Sequence, residues 1–205
     1  LSKGSGTGLS VTANASFGNV DISGTLSING NKGEVGAVLT SQGTSNPIWE
    51  RPYLLRVFLS TNQTIASDSW NNPVKLINLT IDNDITTTNA SSNFDTSDNW
   101  TPPAGVYLVN LQITCRRTSG NIFRLWTGLY KNGDYIRQSR FQNENNNDGA
   151  DIISYTLQMS DLIYTDGSDY YEIYVGGTVQ GGSNDFLVSG ESGGQQTFFN
   201  AYKLL

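Results

Sequence analysis

Histidine is absent from the 205 residues, and cysteine occurs once, as Cys115. Ser–His–Asp catalysis needs an imidazole to take and return the hydroxyl proton, so that mechanism is excluded. A Cys–His pair and histidine-bearing zinc sites are excluded for the same reason, and one thiolate cannot build a zinc site alone. No Gly-Lys-Ser/Thr loop is present to cradle phosphate. The glycine-rich run Gly190-Glu191-Ser192-Gly193-Gly194 reads as a loop before a final strand. Carboxylate pairs are the remaining acid–base chemistry, and a glycosidase would need two of them facing each other across a cleft. Asp95 with Asp98, and Asp148 with Asp151, are candidate pairs, and their polar, turn-forming surroundings make them turn residues. The expectation is therefore no catalytic residue, no metal and no cofactor. Cys115 lies in the alternating run Leu111-Gln112-Ile113-Thr114-Cys115 and reads as a small buried hydrophobe.

Recognition chemistry has more to work with. Flat aromatic faces pack on sugar rings, and Trp70, Trp100 and Trp126 offer them. Trp126 falls inside a strand pattern and reads as core. Trp100 precedes two prolines and reads either as a contact residue or as a cap on the domain. Trp70, in Asp68-Ser69-Trp70-Asn71-Asn72-Pro73, is the best exposed aromatic. Asn132 in the Asn132-Gly133 turn and Asn145 in the polar loop Gln142–Gly149 complete the receptor-binding candidates: Trp70, Trp100, Asn132 and Asn145. Lys plus Arg number 12 against 18 acidic residues, a net charge of −6. Phosphate neutralisation needs clustered cations, and no basic run exceeds Arg116-Arg117, so nucleic acid is not an expected partner. No apolar run approaches the ~20 residues of a membrane helix, and the start carries no basic-then-apolar leader. Membrane insertion is not expected.

The elements that must position these residues are strands. Gly reaches 22, charged residues only 15%, and aromatics 11%, a composition of strands and turns with enough rings to fill a sandwich core. From residue 51 onward strands are predicted near 53–60, 74–82, 105–115, 123–131, 135–141, 151–159, 170–176 and 196–205, with almost no helix. Asn132-Gly133 supplies the positive φ that a two-residue hairpin demands. Along 105–115, Tyr107, Val109, Leu111 and Ile113 share a core face, while Leu108, Asn110 and Gln112 share the other. Leu108 is a poor solvent residue. The last strand is apolar on both faces through Phe198, Phe199, Tyr202 and Leu204, the pattern of a strand covered on both sides. Residues 1–50 differ: Val20, Ile22, Leu26 and Ile28 alternate with polar residues, giving an extended arm or stalk that cannot bury its single apolar stripe alone. Gly30-Asn31-Lys32-Gly33 reads as a turn.

Two resemblances sharpen this reading. Gly36-Ala37-Val38-Leu39-Thr40-Ser41-Gln42-Gly43-Thr44-Ser45-Asn46-Pro47-Ile48-Trp49 resembles a connector common in phage tail-fibre and virion proteins, with Trp49 placed to plug the junction to the next domain. Further on, Phe94-Asp95-Thr96-Ser97 and Trp100-Thr101-Pro102-Pro103-Ala104-Gly105-Val106-Tyr107, the hairpin Leu129-Tyr130-Lys131-Asn132-Gly133, the segment Leu157-Gln158-Met159-Ser160-Asp161 and the closing Thr197-Phe198-Phe199-Asn200-Ala201-Tyr202-Lys203-Leu204-Leu205 stand in the order of the complement C1q/TNF-like family. Ala201 replaces that family's usual glycine, Ser160-Asp161 its Gly-Asp turn, and Lys203 an aliphatic. The resemblance implies an antiparallel jelly-roll β-sandwich over 51–205 and a homotrimer. It implies a seam near the threefold axis lined by Leu108, Asn110, Gln112, Phe199, Ala201 and Lys203. Calcium sites of some members have no counterpart with regular ligand spacing; Asp82, Asp84, Asp95 and Asp98 read as solvated turn aspartates.

The functional expectation is a bacteriophage virion structural protein on the particle surface. Its trimeric fibre head would attach without catalysis to a host-surface glycan or protein, and its N-terminal arm would hold other virion proteins. A capsid decoration or cement protein, and a secreted C1q-like ligand or lectin, are the alternatives. The lack of an intrachain disulfide counts against the last.

Overall fold

The computed structural model describes residues 26–28, 30–33, 37–42, 45–67, 69–143, 152–181 and 185–204. The chain divides into two compact units, Leu1–Glu50 and Arg51–Leu205. In the first, Ile28 and Asn31 exchange backbone hydrogen bonds around Gly30, closing a turn where the glycine cluster predicts one. Strands β1 (Val38–Gln42) and β2 (Ser45–Glu50) pair antiparallel within the connector segment. Trp49 lies on the backbone of Gly33, where an added Cβ would sit 2.7 Å from the indole. Its Nε1 donates to the Asn31 carbonyl at 3.1 Å.

The second unit is an antiparallel sandwich. In chain order it comprises β3 (Leu54–Leu59), β4 (Gln63–Ala66), β5 (Val74–Lys75), β6 (Leu79–Ile81), one helical turn α1 (Thr88–Ser91), β7 (Gly105–Arg117), β8 (Asn121–Lys131), β9 (Asp134–Gln142), β10 (Ser154–Thr165), β11 (Tyr171–Gln180), β12 (Asp185–Val188) and β13 (Phe198–Lys203). One sheet runs β4-β12-β7-β13-β3-β6, with β10 on the other edge of β7. The second runs β5-β11-β8-β9. Strand β7 organises the first sheet because its 13 residues outrun every partner. One edge pairs β10 from Gly105 to Arg116, and the other is shared by β13 over Tyr107–Gln112 and β12 over Cys115–Arg117.

Period-two burial makes the core. Tyr107, Val109, Leu111, Ile113 and Cys115 of β7 meet Leu55, Val57 and Leu59 of β3, Ile122, Leu125 and Leu129 of β8, and Ile173 and Val175 of β11. Burial pushes the Cys115 thiol up to about 12, so it remains a neutral hydrophobe at physiological pH. The Asn132-Gly133 hairpin has φ of +54° and +84°, both positive as the sequence requires. Strand β10 runs on to Thr165, past the Ser160-Asp161 pair expected near its end. Leu162, Ile163 and Tyr164 continue the alternation and pair with Leu108, Tyr107 and Val106. The turn falls instead at Asp166–Asp169, where Gly167 takes φ +92°. Strands β4 and β12 were not anticipated from sequence; at four residues each, they are too short to show a period.

Candidate functional site

Two surfaces carry side chains that the core does not use: the outward face of each sheet. The first is built in rows, because directly paired residues in adjacent strands point the same way. Leu162, Leu108, Tyr202 and Leu54 form one row across β10, β7, β13 and β3. Beyond it lie Tyr164, opposite Val106, and Leu204, which donates its N–H to the Val106 carbonyl. Leu162 is 54% exposed, Tyr164 67% and Leu204 52%. The next row is polar: Ser160, Asn110, Asn200 and Arg56. The Ser160 hydroxyl donates to Asn110 Oδ1 at 2.5 Å, while Asn200 Oδ1 is buried with no donor among the described residues. A third row holds Gln158, Gln112, Phe198 and Phe58. Gln158 Nε2 donates to Gln112 Oε1 at 2.8 Å, and the Arg56 guanidinium lies 4.8 Å from the Phe198 ring centroid.

This geometry corrects half of the expected seam. Leu108, Asn110 and Gln112 do face outward. Phe199 and Ala201 are 2% and 0% exposed and belong to the core, because they pair directly with Leu111 and Val109. Lys203 pairs with Tyr107 and sits half-buried on the same side. A strand that is apolar on both faces does not announce its phase, and a one-residue slip sends every side chain to the opposite face. The residues of β13 on the outward face are Phe198, Asn200 and Tyr202.

The second surface is a cleft of about 310 Å³ on the outward face of the four-stranded sheet. It is lined by Trp70, Trp126, Tyr130, Tyr135, Gln138 and Arg140, with Asn71 and Pro73 at its edge. The floor is the Trp126 indole. It can lie along the sheet because its neighbours are glycines: a Cβ at Gly128 would come within 2.8 Å of the ring, and one at Gly176 within 2.6 Å of Nε1. Trp126 Nε1 donates to the Trp70 carbonyl at 2.9 Å, tying the β4–β5 loop to the sheet. Tyr135 packs edge-on against both Trp126 and Tyr130, and Tyr130 lies against Tyr174 at 4.3 Å between centroids. The Trp70 ring has the Arg124 guanidinium 4.5 Å from its centroid and that of Arg140 at 5.7 Å.

The expected receptor residues fare unequally. Trp70 is half-buried at the mouth of this cleft. Trp100 is not available to a receptor: it is 1% exposed, donates to the Tyr53 hydroxyl at 2.9 Å, and meets Tyr107, Tyr171 and Phe199, each at 5.3 Å. Its backbone bridges to Tyr171 on the opposite sheet, which draws it into the core. Asn132 is exposed, but its amide is engaged: Nδ2 donates to Asp169 at 2.9 Å and Oδ1 accepts the Tyr170 N–H. It locks one turn to another. Asn145 lies outside the described residues. Trp126, read as core, is buried at 7% exposure and also forms the floor of the cleft. Tyr130, Tyr135, Gln138 and Arg140 were not anticipated. The signal that could have found them is the run Trp126-Thr127-Gly128-Leu129-Tyr130, in which the residues alternating with the core positions are two aromatics around a glycine.

Three of the four aspartates weighed as calcium ligands, Asp82, Asp95 and Asp98, are engaged by the chain itself. Asp98 accepts the N–H groups of Asn78 and Leu79 at 2.9 and 2.8 Å. Asp95 accepts those of Ser97 and Asn99. Asp82 faces Arg56 at 3.2 Å and also accepts the Asp84 N–H. Among the described residues no group of three or more His, Cys, Asp or Glu could hold a metal ion.

The sandwich has a TNF-like jelly-roll fold. Scanned against protein-family models, the sequence matches none, and no curated protein sequence is similar to it. Among solved structures it is similar to Eiger TNF from S. frugiperda, with 11% identity, a TM-score of 0.51, and coverage of 75% of this chain and 93% of the other. Murine APRIL at pH 5.0 superposes with a TM-score of 0.52 at 9% identity over 75% of this chain and 100% of its own.

Proposed function

We propose that the chain is a trimeric virion fibre protein of a bacteriophage, whose jelly-roll head attaches to a host surface by binding alone. The observation that carries the trimer is the outward face of the seven-stranded sheet. Its apolar rows around Leu108 lie beside a polar row that holds a buried, unpartnered Asn200 oxygen. Exposed contiguous apolar area of this kind fits a partner surface, and a second and third copy would cover the leucines and offer amide donors to Asn200. The phage assignment rests on the connector at 36–49 and on the alternating pattern of residues 1–50. Binding without turnover rests on the absence of histidine and on the occupied aspartates. Recognition then falls to the outer surfaces of the head, where three copies make weak sites useful through effective concentration.

Immunoelectron microscopy with antibodies to the head tests the placement. Label at the tail tip is expected. Label over the capsid would favour the decoration protein, and unlabelled particles would remove both. Soluble head should coat host cells, and Trp70→Ala should weaken that coating while shifting the melting temperature by no more than about 2 °C, because the ring is only half-buried. A Trp70→Ala head that unfolds would make Trp70 a structural residue. Release of sugar from host envelope material by the native head would overturn the non-catalytic reading.

A further inference from the structure

The cleft on the four-stranded sheet has the makings of a saccharide site with a preference for charge. We infer that it binds a pyranose ring bearing a carboxylate, an acidic sugar of a surface glycan; this rests on the attachment reading above and gives it a ligand class. Three observations converge.

The floor is the Trp126 indole, 7% exposed, which sets the rings of Trp70, Tyr130 and Tyr135 around the opening. Gly128 and Gly176 leave no side chain beneath or beside the Trp126 indole, and the hydrogen bond to the Trp70 carbonyl fixes the ring. Fixing a binding face before the ligand arrives lowers the ordering cost of binding. The glycine at 176 serves no turn: it lies mid-strand, directly opposite Trp126, where a glycine weakens a sheet and is explained by close approach of another group. Here that group is the indole and the Ser69 carbonyl, which an added Cβ would meet at 2.5 Å.

The walls are amphipathic. Tyr135 is 44% exposed, and Tyr130 and Trp70 are half-buried. The C–H face of a pyranose packs on such rings, while Asn71 and Gln138 at the rim supply both donors and acceptors for hydroxyls. The volume, about 310 Å³, lies at the small end of the range for ligand sites, and suits a sugar ring better than a folded partner's surface.

The charge is unbalanced. Arg140 is exposed, has no carboxylate partner among the described residues, and lies 5.7 Å from the Trp70 ring centroid. Arg124 stacks on the same ring and gives its Nε–H to Thr178 at 3.0 Å. By contrast Arg137 and Arg56 are each paired with an aspartate. No described cleft-lining residue is acidic, although the protein as a whole carries −6. A guanidinium presents a planar fork that matches a carboxylate, so Arg140 beside an aromatic floor selects an acidic ring over a neutral one.

The test uses the full chain labelled with 5-fluorotryptophan, which places a fluorine on each of the four tryptophans. It is titrated with methyl β-glucuronide and, separately, with the neutral methyl β-glucoside. The fluorine signals of Trp70 and Trp126 should move on adding the glucuronide, with a Kd about tenfold lower than for the glucoside, the factor one charge-assisted hydrogen bond supplies. Arg140→Gln should bring the two Kd values within about twofold of each other and leave the Trp49 and Trp100 fluorine signals of the free protein unchanged. Tyr135→Ala should weaken both. The inference is overturned if neither glycoside moves those signals by about 50 mM, if only the Trp49 or Trp100 signals respond, or if the preference for the glucuronide survives Arg140→Gln. Should the glycosides fail while the head still coats host cells, the sugar assignment falls and the attachment reading stands. Should they bind while coating fails, the reverse holds.

Discussion

Single side chains in this fold act chiefly by fixing loops to strands. Asp169 is 5% exposed and accepts from Lys131 Nζ at 2.7 Å and from Asn132 Nδ2 at 2.9 Å. The Lys131 ammonium, with further help from the Asn132 amide and the Asp166 N–H, holds its carboxyl down at about 2. A carboxylate with a depressed folded value stabilises the protein at pH above its unfolded value of ~3.9, and that contribution is lost as pH falls toward the folded value. The melting temperature should therefore decline between pH about 4 and 2. In Asp169→Asn it should be lower at pH 7 by several degrees, for a loss of about 1–2 kcal/mol, and flatter across that acid window. A wild-type acid limb retained in the variant would assign the titration elsewhere. Gly176→Ala should cost about 1–3 kcal/mol, because the obstructing atom is the Ser69 carbonyl rather than a yielding side chain, and it should shift the Trp126 fluorescence. An unchanged emission spectrum would mean that the indole does not depend on that glycine.

For whole strands, the decisive question is phase. Strands β7 and β13 each present a core face and an outward face, and the pairing of Phe199 with Leu111 and of Tyr202 with Leu108 decides which residues go where. Two substitutions on these strands should fail differently. Phe199→Asp buries a charge with no partner and should abolish folding. Leu108→Asp should leave the sandwich folded, since its side chain faces outward, and should dissociate the trimer. Circular dichroism and sedimentation together separate the outcomes: a folded Phe199→Asp would place that residue off the core, and a Leu108→Asp trimer of unchanged stability would place the seam elsewhere. The expected seam had assigned Phe199 and Ala201 to the outward face. That error arose where the sequence carries no contrast, in a strand whose Phe198, Phe199, Tyr202 and Leu204 are all apolar.

At the scale of the whole molecule, the proposed trimer is the first thing to test. Light scattering at low concentration should return about three times the 22.3 kDa chain mass, and a stable folded monomer would remove the trimer. The two compact units meet between Glu50 and Arg51, so residues 51–205 expressed alone should fold with the melting temperature of the full chain. A head that fails to fold without residues 1–50 would make the two units one cooperative domain. Thermal unfolding monitored by calorimetry and by near-ultraviolet circular dichroism gives the comparison.

Alternation in residues 105–115, the Asn132-Gly133 turn and the short apolar runs were enough to give an all-β chain, a core face on β7 and a hairpin at the right place. These features follow from the period of the strand and from the backbone needs of a two-residue turn, both local properties that a sequence states directly. The absence of histidine was equally direct and removed most catalytic chemistry at once. The cleft was not legible in this way. Trp126 and Trp70 are 56 residues apart, and Gly176 acquires its meaning only when β11 is laid beside β8 in the register that sets it opposite Trp126. Trp100, beside two prolines, read either as a contact residue or as a cap, and its backbone bridge to Tyr171 places it inside. The outward row Leu162–Leu108–Tyr202–Leu54 likewise joins four segments that share no local pattern. Register between strands distant in sequence is set by the packing of the whole core, where a one-residue slip would turn every side chain over. The surfaces that could bind anything were therefore decided by the tertiary structure.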